Sequence, residues 1–217
     1  MASPEKDQAL ISFAKTLANV PWCDDYEKMI SGSRYNANVP ELLEGRFRAR
    51  KLMHKYNTHL PDDATLQSIT CHREALLKAM LGKVGQNPFI EPPLNIDYGC
   101  NISIGDSFYS NFNLVILDCA MVKIGNRVMF GPFVSIFAAT HETGVQSRRD
   151  GIERARPVTI GDDCWIGGNT TIMPGVTIGN GCTIGAGSVV TRSIPPFSVA
   201  FGSPARVVKT VDAVPDI

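Results

Sequence analysis

An aliphatic side chain returns every six residues through the C-terminal half of the chain. The series runs without a slip through Ile160, Ile166, Ile172, Ile178, Ile184 and Val190. A helix requires apolar residues three and four apart, and an isolated strand requires them two apart. A strict interval of six predicts short strands separated by turns, with one aliphatic side chain of each unit pointing toward a common axis. Such a fixed short period is typical of a solenoid.

A second set of residues, each four positions after an aliphatic one, is also predicted to point inward. Its members are small or β-branched: Cys164, Thr170, Val176, Cys182 and Ser188. Three units then close a narrow triangular prism. Glycine is expected to relax the backbone where it bends, at Gly161, Gly167, Gly179 and Gly185. Upstream, the same interval separates Ile124, Phe130 and Ile136, and it is less regular around Ile104, Ile116 and Val122.

This repeat resembles that of the hexapeptide-repeat acyltransferases. The resemblance implies a mainly β fold, a left-handed parallel β-helix with three hexapeptides in each coil. The handedness comes from the resemblance alone, because the spacing does not fix it and parallel crossovers in general favour the right hand.

The N-terminal part of the chain has helical rather than hexapeptide spacing. Apolar residues recur at helical intervals over residues 5–20 and again over residues 24–85. The segments MISGSRYN, PELLEGRFRARKLMHKYN and EPPLNIDYG resemble the N-terminal region of sugar O-acetyltransferases of the maltose and galactoside group. We therefore expect an α-helical region over residues 1–90, a β-helix over 91–192 and a capping tail over 193–217.

One segment interrupts the repeat. Ile136 and Ile160 are 24 residues apart, yet residues 142–157 are charged and lack the period. We expect a loop to leave the β-helix over about residues 137–157, with His141 where it begins. Long loops on a rigid scaffold commonly carry binding or catalytic residues.

Composition excludes several partners. The chain has 21 basic and 21 acidic residues, so no overall charge would attract nucleic acid or a membrane surface. No basic leader precedes an apolar run, and no apolar stretch is long enough to cross a bilayer. These features favour a cytoplasmic protein, in which the six cysteines are reduced thiols.

The four histidines differ in position. Three lie in the helical region, as helix-packing or surface residues, whereas His141 lies in AATHETG at the start of the loop. In acetyltransferases of the group that the chain resembles, a histidine there is the general base, which fits an imidazole taking the proton of an attacking hydroxyl. The γ-class carbonic anhydrases share the β-helix but bind zinc through three histidines. A single histidine in the repeat region therefore argues against a metal site.

The resemblance also implies acetyl-coenzyme A as the acetyl donor. The segment IGAGSVVTRSIPPFSVAFGSPARVVK resembles the family's coenzyme A site, with Arg206 and Lys209 at the phosphates. The backbone N–H of Gly168 would stabilise negative charge on the thioester oxygen. Trp165 would be a further coenzyme contact. The alternative for Gly168 and Trp165 is that they are only corner and packing residues. The other implied contacts are Ala186 at the pantetheine arm and Thr191 and Arg192 toward the nucleotide.

The acceptor contacts follow from SNFNLVILDCAM, which resembles the family's acceptor strip. There Asn111 would bind the reactive hydroxyl and Asp97 a second hydroxyl. Asn36 and Glu153 are further candidates, with a solvated surface charge as the alternative for Glu153. Cys119 stands where the galactoside enzyme has a second Asp, and a thiol binds a sugar hydroxyl poorly. This departure favours an acceptor that is less sugar-like or differently placed.

Together these features predict an acetyl-coenzyme A-dependent O-acetyltransferase for a sugar or a related small hydroxyl compound. The alternatives are an acetyltransferase for a non-sugar acceptor, such as an antibiotic or an amino acid, and a non-catalytic β-helix scaffold subunit. Because the family forms trimers with active sites between subunits, we expect a homotrimer. Apolar residues predicted on the outer faces, such as Val122, Met129 and Phe133, would supply its contact surface.

Overall fold

The computed structural model describes residues 6–214. Residues 1–5 of the predicted helical region and residues 215–217 of the predicted capping tail lie outside the described residues. The helices are α1 (Gln8–Ala14), α2 (Asp24–Ile30), α3 (Pro40–Thr58), α4 (Leu66–Met80) and α5 (Val145–Arg149). The strands up to the loop are β1 (Tyr35–Asn36), β2 (Lys83–Val84), β3 (Phe89–Ile90), β4 (Leu94–Ile96), β5 (Ile102–Ile104), β6 (Tyr109–Ser110), β7 (Leu114–Leu117), β8 (Val122–Ile124), β9 (Met129–Phe130) and β10 (Ser135–Phe137). The later strands are β11 (Ala139–His141), β12 (Ile152–Ala155), β13 (Val158–Ile160), β14 (Trp165–Ile166), β15 (Thr171–Ile172), β16 (Thr177–Ile178), β17 (Thr183–Ile184), β18 (Val189–Val190), β19 (Ser198–Gly202) and β20 (Ala205–Thr210).

Three sheets form the faces of a prism. Face 1 has the strand order β16-β13-β8-β5-β2, face 2 the order β20-β19-β17-β14-β9-β6-β3, and face 3 the order β18-β15-β10-β7-β4. Successive coils pair in parallel and in register, so Ile160 lies beside Ile178 and Ile166 beside Ile184. The predicted parallel β-helix is confirmed. Below, corner 2–3 is the turn from face 2 to face 3, and corner 3–1 is the turn from face 3 to face 1.

The inner residues are those that the period predicts. All six aliphatic residues of the series are buried, and so are the five small ones that follow them. The Cys164 thiol donates to the Gly179 carbonyl and the Cys182 thiol to the Pro195 carbonyl, both at 3.0 Å between sulfur and oxygen. Both cysteines are free thiols that fill the narrow interior.

The repeat glycines are needed for a different reason than the one predicted. None of the four has a left-handed φ; the corner residues that do include Asp163 at 58° and Asn169 at 57°. A Cβ on Gly167 would instead lie 2.5 Å from the Ala186 nitrogen in the next coil. A Cβ on Gly179 would lie equally close to the Pro196 nitrogen. Glycine is therefore required at these positions because successive coils approach each other closely.

One predicted outer residue is wrong. Met129 and Phe133 are 51% and 53% exposed, as expected of outer residues. Val122 is fully buried, because β8 points both Val122 and Ile124 inward and only Lys123 between them outward. Two residues apart on a strand share a face, so Val122 belongs to the core.

The helical region covers the first coil. The Tyr56 hydroxyl of α3 donates to the Ile90 carbonyl at 2.6 Å, and Asn57 forms two hydrogen bonds with the backbone of Leu94. A solenoid needs such a cover, because its end coil would otherwise expose the core. The first parallel strands begin at Lys83, ahead of the expected boundary at residue 91. A two-residue strand that directly follows a helix is too short to show the six-residue period, so the sequence did not indicate it.

The first helix lies against α2 and face 1. The Asp7 side chain accepts from the N–H groups of Ala9 and Leu10 and so caps α1, which is shorter than the predicted helix over 5–20. The Lys123 ammonium lies 3.8 Å from the centroid of the Phe13 ring. These contacts place α1 outside the β-helix.

The chain leaves the prism after β10, and the loop has secondary structure of its own. β11 and β12 form an antiparallel hairpin that carries α5, and β1 of the N-terminal region adds a third strand beside β12. At the C-terminus, β19 continues face 2 in parallel and β20 folds back antiparallel to it. No helix within residues 6–214 has the length and apolar character needed to span a bilayer.

Candidate active site

Corner 3–1 carries one group of the predicted residues. Asp97 follows β4, Cys119 follows β7, and the extruded hairpin that starts with His141 follows β10. Thr191 and Arg192 follow β18 at the same corner and are exposed. The register of face 3 therefore stacks these turns in successive coils.

His141 ends β11 and is exposed. Its partner across the antiparallel ladder is Glu153, so the two side chains lie on the same face of the hairpin. The Glu153 carboxylate accepts a hydrogen bond from the Tyr35 hydroxyl at 2.7 Å. Within residues 6–214 the His141 imidazole forms no hydrogen bond of its own, so it is free to bind a substrate hydroxyl.

The corner 3–1 residues His141, Glu153, Asp97 and Cys119 are called the acceptor cluster below. Asp97 lies beside Cys119 in it. The Cys119 thiol donates to Asp97 Oδ2 over 3.4 Å. Burial raises the pKa of the Asp97 carboxyl; the Cys119 hydrogen bond and the charges of Arg46 and Arg50 act in the opposite direction. The negative charge of Glu153 acts in the same direction as burial and raises the pKa of Asp97 further.

Asp118 fixes the turn that carries Asp97. It is fully buried, and its carboxylate accepts from the N–H groups of Asp97, Tyr98 and Asn101 at 3.1, 2.9 and 3.3 Å. Burial raises the pKa of Asp118 to about 7, although the backbone donors favour its charged form. The buried Asp118 carboxylate thus holds the backbone of the turn that carries Asp97.

Sequence reasoning missed two residues of this cluster. Tyr35 contacts Glu153, and Arg46 of α3 donates to the Tyr98 hydroxyl and to the Ala37 carbonyl. Both lie far from corner 3–1 in sequence, and no local pattern indicates that they reach it. The neighbour of Tyr35, Asn36, is exposed, and its side-chain oxygen accepts from the Asn38 N–H at 2.9 Å. The structure therefore does not bring the Asn36 side chain to the cluster.

Corner 2–3 carries the second group. Asn111 follows β6, Gly168 follows β14 and Ala186 follows β17, with main-chain hydrogen bonds linking the turns of successive coils. Within residues 6–214 the Gly168 N–H has no acceptor. A Cβ on Gly168 would meet the Pro132 carbonyl oxygen at 3.0 Å. The corner thus presents an unpaired backbone donor, as an oxyanion contact requires.

Of the two predicted phosphate contacts, Arg206 lies beside corner 2–3, whereas Lys209 lies farther along β20, opposite Val199. Arg206 pairs with Phe201 in the β19–β20 hairpin, and a Cβ on Gly185 would lie 2.7 Å from the Phe201 Cβ. Arg206 and Lys209 are exposed and form no ion pair within residues 6–214. Two cations without a carboxylate partner suit a phosphate ligand. Trp165 is half-exposed on the outside of face 2, next to Met129.

The predicted residues therefore form two groups on two corners of one chain. No hydrogen bond or ion pair of the described residues joins His141, Asp97 and Glu153 to Asn111, Gly168 and Ala186. The described residues also contain no cluster of three His, Cys, Asp or Glu side chains that could hold a metal ion.

Two known sequence motifs match the chain. The maltose acetyltransferase hexapeptide capping motif matches residues 28–85, which hold the end of α2 and all of α3 and α4. The bacterial transferase hexapeptide motif of six repeats matches residues 157–192. Over 186 residues the chain is 40% identical to the galactoside O-acetyltransferase of Escherichia coli (strain K12). That alignment covers 86% of this chain and 89% of the relative.

Solved structures show the same similarity. The maltose O-acetyltransferase from Clostridium difficile 630 superimposes with a TM-score of 0.83 at 41% identity, covering 88% of this chain and 99% of that one. A galactoside acetyltransferase in complex with coenzyme A gives a TM-score of 0.78 at 36% identity, with coverages of 88% and 92%. The chain therefore belongs to the maltose and galactoside group of hexapeptide-repeat acetyltransferases.

Proposed function

We propose that the protein transfers acetyl from acetyl-coenzyme A to a hydroxyl of a sugar or a related small molecule, with His141 as the general base. The observation that carries this proposal is the pairing of His141 with Glu153 in the extruded hairpin. The unengaged imidazole lies on the same face of the hairpin as Glu153, and Asp97 follows β4 at the same corner. Two carboxylates at this corner suit the hydroxyls of a polyol.

The chemistry requires one proton to move. As the acceptor oxygen bonds to the thioester carbon, neutral His141 takes the hydroxyl proton. The carbonyl oxygen then carries the negative charge of a tetrahedral intermediate. When the carbon–sulfur bond breaks, coenzyme A leaves as a thiolate and receives the proton from the imidazolium. No acyl-enzyme intermediate is needed.

Corner 2–3 would supply the remaining groups. The unpaired Gly168 N–H can donate to the developing oxyanion, where a preorganised donor is worth more than a mobile water. Asn111 uses its side-chain oxygen to accept from the Phe112 N–H at 2.7 Å, which leaves its NH₂ group to donate to the acceptor oxygen. Arg206 and Lys209 would bind the phosphates of the donor.

Because the two groups lie on different corners, we propose that each active site forms between two chains of a homotrimer. In such a site His141 of one chain faces Asn111 and Gly168 of the next. The apolar surface beside corner 2–3 supports this arrangement, since Phe112, Met129, Phe133 and Trp165 are all about half exposed in the single chain. An exposed apolar patch of this kind favours burial by a partner.

The scaffold alternative would leave the unpaired Gly168 N–H, the free imidazole and the unpaired cations without a role. A panel of acceptors tests the proposal: glucosides, galactosides, maltose and chloramphenicol, each with acetyl-coenzyme A in a thiol-release assay. We expect acceptor-dependent release with at least one sugar. Release with chloramphenicol alone would favour the antibiotic alternative, and release with none, given correct assembly, would favour the scaffold.

A further inference from the structure

The residue after the histidine, Glu142, is held by two arginines from different parts of the chain. The Arg34 guanidinium donates two hydrogen bonds to the Glu142 carboxylate, from Nε to Oε1 and from Nη2 to Oε2, both at 2.8 Å. Arg154 of β12 donates its Nε to Oε1 at 3.0 Å. The Arg34 guanidinium is the main reason why the pKa of Glu142 lies below its ordinary value. Such a two-pronged contact fixes orientation as well as distance.

The clamp joins the N-terminal region to the start of the loop. Arg34 lies directly before β1, whose Tyr35 is the ladder partner of Glu153. The backbone of the loop start is held as well, because Arg148 of α5 donates to the carbonyls of Glu142 and Thr143 at 3.0 and 2.7 Å. The turn after His141 is therefore tied on three sides.

His141 itself has no such restraint. Its imidazole forms no hydrogen bond within the described residues, so its place depends on the backbone at the end of β11. Misplacing a catalytic group by about 1 Å can cost about a hundredfold in rate. An exposed ion pair adds little to folding stability. A gain in stability therefore does not explain why three arginines converge on this one residue.

We propose that Glu142, clamped by Arg34 and Arg154, is a positioning residue that holds His141 in its catalytic orientation. The proposal rests on the assignment of His141 as the base. It gives the N-terminal region a second role besides covering the first coil: it supplies Arg34 and β1 to the hairpin that carries the histidine. The clamp involves none of the proposed acetyl-coenzyme A contacts, so it should act on the chemical step rather than on donor binding.

The test compares Glu142→Gln, Arg34→Ala and the double variant. We expect each single change to lower kcat about ten- to a hundredfold, while KM for acetyl-coenzyme A stays within about twofold. Because both act through one contact, the double variant should be no slower than the slower single variant. Arg34→Lys keeps the charge but loses the fork, and should give an intermediate kcat.

The Arg127–Asp163 pair is a matched control. It is another exposed fork contact, with both distances at 2.7 Å, at the turn from face 1 to face 2. Arg127→Ala should leave kcat unchanged. The proposal is overturned if Glu142→Gln and Arg34→Ala keep kcat within about twofold, or if their losses multiply in the double variant. His141→Ala distinguishes the two assignments. Normal turnover of His141→Ala would refute His141 as the general base. Lost turnover of His141→Ala together with normal turnover of Glu142→Gln and Arg34→Ala would refute only the positioning role of Glu142.

Discussion

The Cys119 thiol is 3.4 Å from Asp97 Oδ2 and donates a hydrogen bond to that carboxylate. The contact opposes the burial that raises the pKa of Asp97. Removing the donor by Cys119→Ala should therefore raise this pKa further and weaken acceptor binding. We expect KM for the acceptor to rise about two- to tenfold, because the Asp97 carboxylate loses the thiol hydrogen bond that favours its charged form.

The donor site provides the internal control for this change. KM for acetyl-coenzyme A should stay constant in Cys119→Ala, since the Cys119 thiol donates to Asp97 and to none of the proposed coenzyme contacts. Cys119→Ser keeps a donor and should behave like the parent. A similar rise in KM for both substrates would place the effect in assembly rather than in the acceptor pocket.

The β-helix was predictable because its physics is periodic. Each coil repeats the same inward positions, so Ile160, Ile166 and Ile172 reveal the prism without any tertiary information. The same argument predicted the loop, because the period stops where the chain leaves the sheets. Val122 was wrongly assigned to an outer face, because it stands two residues before Ile124 on β8 and therefore points inward with it.

The acceptor cluster was only partly predictable. Asp97, Glu153 and His141 were named from a resemblance, whereas Tyr35 and Arg46 reach the cluster through tertiary packing. Residues about 100 positions apart, such as Arg34 and Glu142, leave no mark on spacing. The division of the site between two corners also depends on which face each turn connects, and only the strand order supplies that.

Arg206→Ala should distinguish binding of the phosphates of acetyl-coenzyme A from binding of its pantetheine arm. Arg206 is exposed, and among the described residues its side chain forms a hydrogen bond only to the Ala205 carbonyl. We expect affinity for acetyl-coenzyme A to fall about ten- to a hundredfold, as for a lost charge-assisted contact. Acetyl-pantetheine lacks the nucleotide phosphates and should bind both proteins alike. Equal losses for both donors, measured as KM, would make Arg206 a structural residue of the β19–β20 hairpin.

Asp118 should make stability depend on pH. Since its pKa is about 7 in the folded chain and near 3.8 when exposed, the folded state holds this proton more tightly. Stability from this group is thus fully present below about pH 4 and is lost as the pH rises through about 7. Asp118→Asn does not titrate there. We expect the Tm of the parent to fall more steeply than that of the variant between these values.

Asp163→Asn is the control for that measurement. The Arg127 guanidinium lowers the pKa of Asp163, so its contribution is present above the unfolded pKa and lost as the pH falls. Removing Asp163 should therefore leave the slope between pH 5 and pH 7 unchanged, within about 1 °C per pH unit. Parallel Tm curves for the parent and Asp118→Asn would show that Asp118 keeps its ordinary ionisation.

Mixed oligomers should reveal whether a site is shared. His141→Ala and Asn111→Ala alter different corners, so each chain of one variant can complement a chain of the other. In randomly mixed trimers about a quarter of the sites would combine an intact His141 with an intact Asn111. We expect the co-expressed mixture to recover activity that neither variant has alone, and sedimentation to give about three chains. A site within one chain would give no recovery.

His141→Ala tests the mechanism. Losing a positioned base should lower turnover by about 10² to 10⁴, while acetyl-coenzyme A binding and assembly stay nearly unchanged. The neutral imidazole is the form that takes the hydroxyl proton, and alanine leaves no side chain at this position that could do so.

Three other histidines serve as controls. His54 lies on α3, and the rings of His59 and His72 pack together with centroids 4.1 Å apart, all in the helical region. Alanine at each should leave turnover within a few-fold of the parent, because none lies at corner 3–1. If His141→Ala turns over an acceptor that saturates the parent at a near-normal rate, another group removes the proton. Glu153, the ladder partner of His141, would then be the first residue to replace, because its carboxylate lies on the same face of the hairpin.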